Sequence, residues 1–177
     1  GRLTGQKVLQ NNVYNLAIGS YGTFFQEGDA TFRAGINLSL LGYSKNLQYY
    51  TLGHGGYFSP QQYTAISLPV NFSDVSGALS YKVSGYLGLH MFQEDSVAYY
   101  PNNPQLQAAS GRLYPGASTS GFLLGIDAAS EYVLTRNLSV GGNFGFDNAK
   151  NYNQINLGVY IHYRFDGLTK LPSFRID

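Results

Sequence analysis

Apolar and polar residues alternate with a period of two, and the pattern is renewed segment after segment along this chain. A period of two puts successive side chains on opposite faces of a strand, so each segment has one apolar and one polar face. In Thr31–Leu40, for example, Phe32, Ala34, Ile36, Leu38 and Leu40 oppose Arg33, Gly35, Asn37 and Ser39. Further segments are Gln62–Phe72, Gly77–Phe92, Thr119–Leu134, Asn137–Asp147 and Gln154–Phe165, with a less regular one near Lys7–Phe24. Seven strands and no convincing amphipathic helix are expected, which makes the chain all-β and antiparallel.

Alternation alone does not say which face is inward. A soluble sandwich buries the apolar face, whereas an outer-membrane barrel turns it to lipid. Composition bears on the choice. Charged residues make up 12% of the 177, against roughly 25% in soluble domains. The chain has no apolar run near the ~20 residues of a membrane helix. Several strands pass ten residues, enough to cross a bilayer at a tilt. Gly, Ser and Asn populate the polar face, and Tyr and Phe gather near strand ends, as in an aromatic girdle. The expectation is a transmembrane outer-membrane β-barrel. A net charge of +1 without a Lys/Arg cluster gives no footprint for nucleic acid. The absence of cysteine excludes a disulfide scaffold. Gly1 in place of an initiator Met reads as a chain processed or cut from something longer.

Connections alternate in length: Gln26–Asp29 short, Gly42–Gln61 long, Ser73–Ser76 short, Gln93–Ser118 long, Thr135–Arg136 short, Asp147–Asn153 longer. Outer-membrane barrels have short periplasmic turns and long outer loops, so the final strand is expected to end in the periplasm. Residues 1–165 then form the barrel portion and 166–177 a periplasmic tail. Seven is an odd number, and an open sheet would leave backbone groups unpaired in lipid. N-terminal strands are therefore expected to be missing. A strand within Lys45–Tyr57 would supply an eighth, but Gly53, Gly55 and Gly56 interrupt it.

The densest local feature is Tyr49–Gln61, rich in glycine and aromatic rings. Its Tyr49, Tyr50, His54, Tyr57, Phe58 and Gln61 are candidates for a loop that lines or closes a pore and stacks against a ligand's rings. The rings supply flat apolar faces with polar tips. A rigid loop packed on its own rings is the alternative. Lumen-facing polar candidates are Arg33, Lys82, His90, Asp127, Glu131, His162 and Arg164. Asp127 and Glu131 stand ~13 Å apart along a strand at ~3.3 Å per residue, too far for a glycosidase pair. They read as pore lining, with Lys82 or Arg164 as partners. The three histidines lack metal-ligand spacing, and no nucleophile elbow, phosphate loop or dinucleotide fingerprint occurs. No catalytic residue, metal or cofactor is assigned.

Lys45-Asn46-Leu47 through Gly53-His54-Gly55-Gly56-Tyr57-Phe58-Ser59-Pro60-Gln61, with Arg2–Gln6 and Leu68-Pro69-Val70, resembles the C-terminal domain of the cellulose synthase operon protein C family. The resemblance implies an outer-membrane pore of a Gram-negative bacterium that exports cellulose or a related exopolysaccharide, with the six loop residues above as its gate or polysaccharide contact. It implies a barrel of ~16 strands, an even number, of which this chain is about the C-terminal half. Implied partners are a β-linked glucan, outer-membrane lipid, a periplasmic tetratricopeptide-repeat region of the same parent chain and the inner-membrane synthase complex. An outer-membrane enzyme acting on lipid or polysaccharide, and a soluble sugar-binding β-sandwich, are the alternatives.

Overall fold

A computed structural model describes residues 8–149 and 152–165. The expected tail 166–177 and the Arg2–Gln6 stretch lie outside the described residues. Seven long strands form one sheet: β1 (Val13–Glu27), β2 (Ala30–Tyr43), β3 (Gln62–Ser76), β4 (Leu79–Glu94), β7 (Ala117–Val133), β8 (Leu138–Ala149) and β9 (Tyr152–Tyr163), hydrogen-bonded in that order. Between β4 and β7 lie a two-stranded ladder, β5 (Val97–Ala98) with β6 (Leu113–Tyr114), and one short helix, α1 (Pro104–Ser110). Within this sheet each long strand pairs with the next long strand in the chain, and among the described residues β1 and β9 are the ends of the order.

The seven strands expected from alternation are present, but several limits move. The connection expected at Ser73–Ser76 lies instead at residues 77–78, with Gly77 at φ 59°. Ser73 continues the polar face of β3, and Asp74, on the side of Phe72, stays in the strand where its carboxylate accepts the Tyr81 hydroxyl. The longer connection expected over Asp147–Asn153 is mostly strand: the β8–β9 ladder runs out to Ala149 opposite Tyr152. The helix was not expected. Asn103 caps it through its side chain, which accepts from Leu106 N–H at 2.9 Å, Pro104 begins it, and Gly111 ends it at φ 60°. Those are ordinary helix start and stop residues, on a helix too short to show periodicity.

Burial is inverted relative to a water-soluble fold. On β4, Leu87, Leu89 and Met91 are 56%, 52% and 62% exposed, while Ser80 and His90 on the opposite face are 1% and 5% exposed. Leu47, Ala65 and Phe92 are the buried hydrophobic residues among those described. Sheet-on-sheet packing of the kind a sandwich needs would cover the apolar face; here Ile66, Leu68, Phe122, Leu124, Leu157 and Val159 all remain exposed.

Cα packing divides the chain into two compact units. The first holds, of the described residues, 8–18, 38–65 and 90–121, with both long connections, α1 and the β5–β6 ladder. The second holds 19–37, 66–89, 122–149 and 152–165, with the short turns at 28–29, 77–78 and 134–137.

Candidate functional site

In the first unit the 44–61 connection is a hydrogen-bonded structure. Ser59, fully buried, accepts the Leu47 N–H at 2.7 Å, and the Leu47 carbonyl accepts from both Gly55 and Gly56 at 3.0 Å. Gly53 sits at φ 101° with Asn102 and Pro101 closing around it, so a Cβ there would be both strained and crowded. The loop is sewn to the 95–116 connection: Asn46 donates to the Asp95 carbonyl at 2.9 Å, and Thr51 to the Tyr99 carbonyl at 2.6 Å. It is also held from the N-terminal side, where Asn11 donates to the Lys45 carbonyl and the Tyr57 hydroxyl.

Tyr49 stacks on Tyr114 with centroids 3.5 Å apart and planes 6° apart, and Tyr99 stacks on the other side of that pair at 4.7 Å. The Arg112 guanidinium lies 4.7 Å over the Tyr99 ring. His54 meets Tyr49 and Tyr114 edge-on, donates from Nε2 to the Ala98 carbonyl at 3.0 Å, and leaves a buried Nδ1 without a hydrogen bond among the described residues. Loss of water raises the Tyr114 phenol above its ordinary value, opposed by its bond to the Thr51 hydroxyl. The six loop candidates therefore separate. Tyr49 and His54 belong to the ring stack. Gln61 is used at its amide, donating to the Ser59 carbonyl and accepting from Asp95 N–H. Tyr50, 89% exposed, and Tyr57 and Phe58 present surface. Phe58 keeps an edge contact with Phe92 at 5.2 Å. His90, another candidate, is buried here between Tyr63 and Phe92, both rings 6.0 Å away.

In the second unit the polar candidates converge on Glu131. Register sets Glu131 opposite Gly141, Gly141 opposite Tyr160, and Ser139 opposite His162. Arg164 reaches Glu131 at 2.8 Å and Ser139 at 2.9 Å; Ser139 donates to Glu131 at 2.5 Å, and Tyr160 donates at 3.2 Å. His162 stands 3.8 Å from the same carboxylate and is largely exposed. Tyr160 passes over Gly141, where a Cβ would strike its ring. The same device recurs where Tyr86 covers Gly125 and donates to Asp147 at 2.5 Å. Of the two expected cationic partners, Arg164 joins Glu131; among the described contacts, Lys82 does not. Arg33 lies elsewhere, donating to the Thr23 hydroxyl at 3.3 Å. Asp127 abuts Gly145 on β8.

Sequence reasoning passed over Tyr99, Arg112 and Tyr114, which complete the ring stack, and Ser139 and Tyr160, which complete the carboxylate network. Alternation places Ser139 on the polar face and could have placed Tyr160 there, but their meeting depends on strand register. Among the described residues, no group of three His, Cys, Asp or Glu is placed to hold a metal.

The family model described as "Cellulose synthase operon protein C C-terminus" matches residues 1–166. The chain is 32% identical to the cellulose synthase operon protein C of Pseudomonas fluorescens, over 94% of this chain and 13% of that protein. It is 30% identical to that of Xanthomonas axonopodis pv. citri, over 94% and 12%, and 31% identical to one from Komagataeibacter xylinus, over 90% and 13%. It thus spans about an eighth of the length of these curated relatives.

Proposed function

The chain belongs to the cellulose synthase operon protein C C-terminus family, and on that premise we propose that it is part of an outer-membrane β-barrel that lets a β-linked glucan leave the cell. The observation that carries this reading is the inverted burial. An exposed apolar face this extensive is untenable in water and is what a lipid-facing barrel wall requires. Strands of 12 to 17 residues exceed the ~9–11 needed to cross a bilayer. The ends of the strand order at β1 and β9 would leave backbone groups unpaired in lipid. Further strands of the parent protein would cover them, and the length of the relatives leaves ample chain for that.

The opposite face suits a neutral polymer. Its charges are few, and the buried Glu131 is engaged by Arg164. Hydroxyls, amides and rings offer weak, repeated contacts, which transport needs because tight binding stalls it. Passage is passive and no bond is made or broken. The tetratricopeptide-repeat region and the synthase complex enter as partners of the parent protein on the same premise. Tyr50, Tyr57 and Phe58 are the loop positions that would meet the polymer. Deleting Gly53–Ser59 from the full-length protein is expected to raise single-channel conductance in planar bilayers; an unchanged conductance contradicts the gate.

A further inference from the structure

On the polar face of the second unit, tyrosine rings lie against glycines and are fixed there by their hydroxyls. The Tyr86 ring reaches from β4 to Gly125 on β7, and its hydroxyl donates to Asp147 on β8 at 2.5 Å. The Tyr160 ring reaches from β9 to Gly141 on β8, and its hydroxyl donates to Glu131 on β7 at 3.2 Å. Tyr21 repeats the device against Gly35, its hydroxyl accepting from Asn37 at 2.9 Å. None of the three is covered over: Tyr86 and Tyr160 are half-buried, and Tyr21 is 56% exposed. The wall takes one side of each ring and leaves the other open. A ring anchored in this way loses little freedom when a ligand settles on it.

The two carboxylate-anchored rings follow one strip of the wall. Gly125 is opposite Asp147, and Gly141 is opposite Glu131. From Gly125 to Glu131 along β7 is about 20 Å at ~3.3 Å per residue. Between those levels the exposed Asp127 stands opposite Gly145, and the exposed Asn143 opposite Gly158. The glycines keep the strip low, while the carboxylate and the amide offer partners to hydroxyls.

We propose that Tyr86 and Tyr160 are stacking platforms at the two ends of a track for one β-linked glucan chain, with Asp127 and Asn143 meeting its hydroxyls between them. The inference rests on the export reading above and adds where along the wall the polymer is held. An extended β-linked chain has apolar C–H faces and hydroxyls at its edges, which suits flat rings with hydrogen-bonding groups between them. Neither platform encloses a sugar, so each contact is weak and the chain can slide.

The test is block of single-channel current by cellohexaose, with the full-length protein in planar bilayers. Tyr86→Leu and Tyr160→Leu keep bulk over the glycine and lose the flat face. Each is expected to weaken block about three- to tenfold, whereas Tyr86→Phe and Tyr160→Phe hold it within about twofold. Channels are read one at a time, so a role in assembly alone changes their number and not their block. If Tyr160→Leu does not assemble, Tyr86→Leu decides. Leu variants blocked as tightly as wild type overturn the platforms and leave the export reading standing. Phe variants as weak as the Leu ones overturn stacking as the cause. A wild type that conducts ions but is not blocked overturns the glucan reading and the track with it.

Discussion

In the first unit aromatic rings lie on one another: Tyr49, Tyr114 and Tyr99 stack, with His54 at their edges and Arg112 on their end. In the second, single tyrosines lie over glycines of a neighbouring strand and reach carboxylates, Tyr160 to Glu131 and Tyr86 to Asp147. The first arrangement is self-contained, because its rings and hydrogen bonds join two loops directly. The second exists only while strand register is kept. The contrast teaches that order in the loops and order in the strands have separate causes, so substitutions should separate them too.

The largest effect is expected on the apolar strand face. Leu157→Arg puts a charge where Leu157 is 80% exposed on β9; such a change in a lipid-facing strand costs about 2–4 kcal/mol near the bilayer midplane. The folded fraction of full-length protein on unheated gels should fall steeply. Tyr50→Arg, equally exposed but on a loop, should stay within about 0.5 kcal/mol. Comparable losses from both would break the comparison.

Next comes the carboxylate network. Arg164→Leu leaves Glu131 its hydroxyl donors and His162 at 3.8 Å but no guanidinium, a loss of about 2–3 kcal/mol, below the usual range for a broken buried pair because Arg164 is partly exposed. Glu131→Gln combined with Arg164→Gln should cost less than the sum of the two, by about 1 kcal/mol, in denaturant titrations of the full-length protein. Strict additivity would mean that the pair does not couple.

In the loops the effects should be smaller and local. Gly53→Ala forces a Cβ into φ 101° beside Asn102 and should cost about 1–2 kcal/mol. Tyr114→Ala removes the central ring of the stack, worth about 1 kcal/mol beyond the area it buries. Both should accelerate proteolysis within 44–61 and 95–116 and leave the strand-dependent gel shift intact. Loss of that shift would show that the loop unit supports the strands.

Strand count and strand faces were legible because alternation is a property of the backbone: Leu87, Leu89 and Met91 had to share a face whatever they pack against. Limits were less legible. Ser73 and Asp74 resemble turn residues by type, yet Asp74 sits in β3 and accepts the Tyr81 hydroxyl at 3.2 Å. The helix and the β5–β6 ladder are too short to show a period, although Asn103, Pro104 and Gly111 mark the helix ends. At the site, the polar side of Glu131 and Arg164 could be read directly. Their meeting could not, since it depends on which residues face each other across β8, and the pairing of Tyr49 with Tyr114 joins residues on separate loops.

The central claim is that the apolar face meets lipid and the polar face meets water. Spin labels on single cysteines along β4 of the full-length protein in bilayers test it directly, and this chain contributes no cysteine of its own. Labels replacing Val83, Leu87, Leu89 and Met91 are expected to collide with dissolved oxygen, and those replacing Lys82 and Ser84 with a water-soluble nickel complex, alternating residue by residue. Apolar positions shielded from oxygen, or open to the nickel complex, would contradict the account.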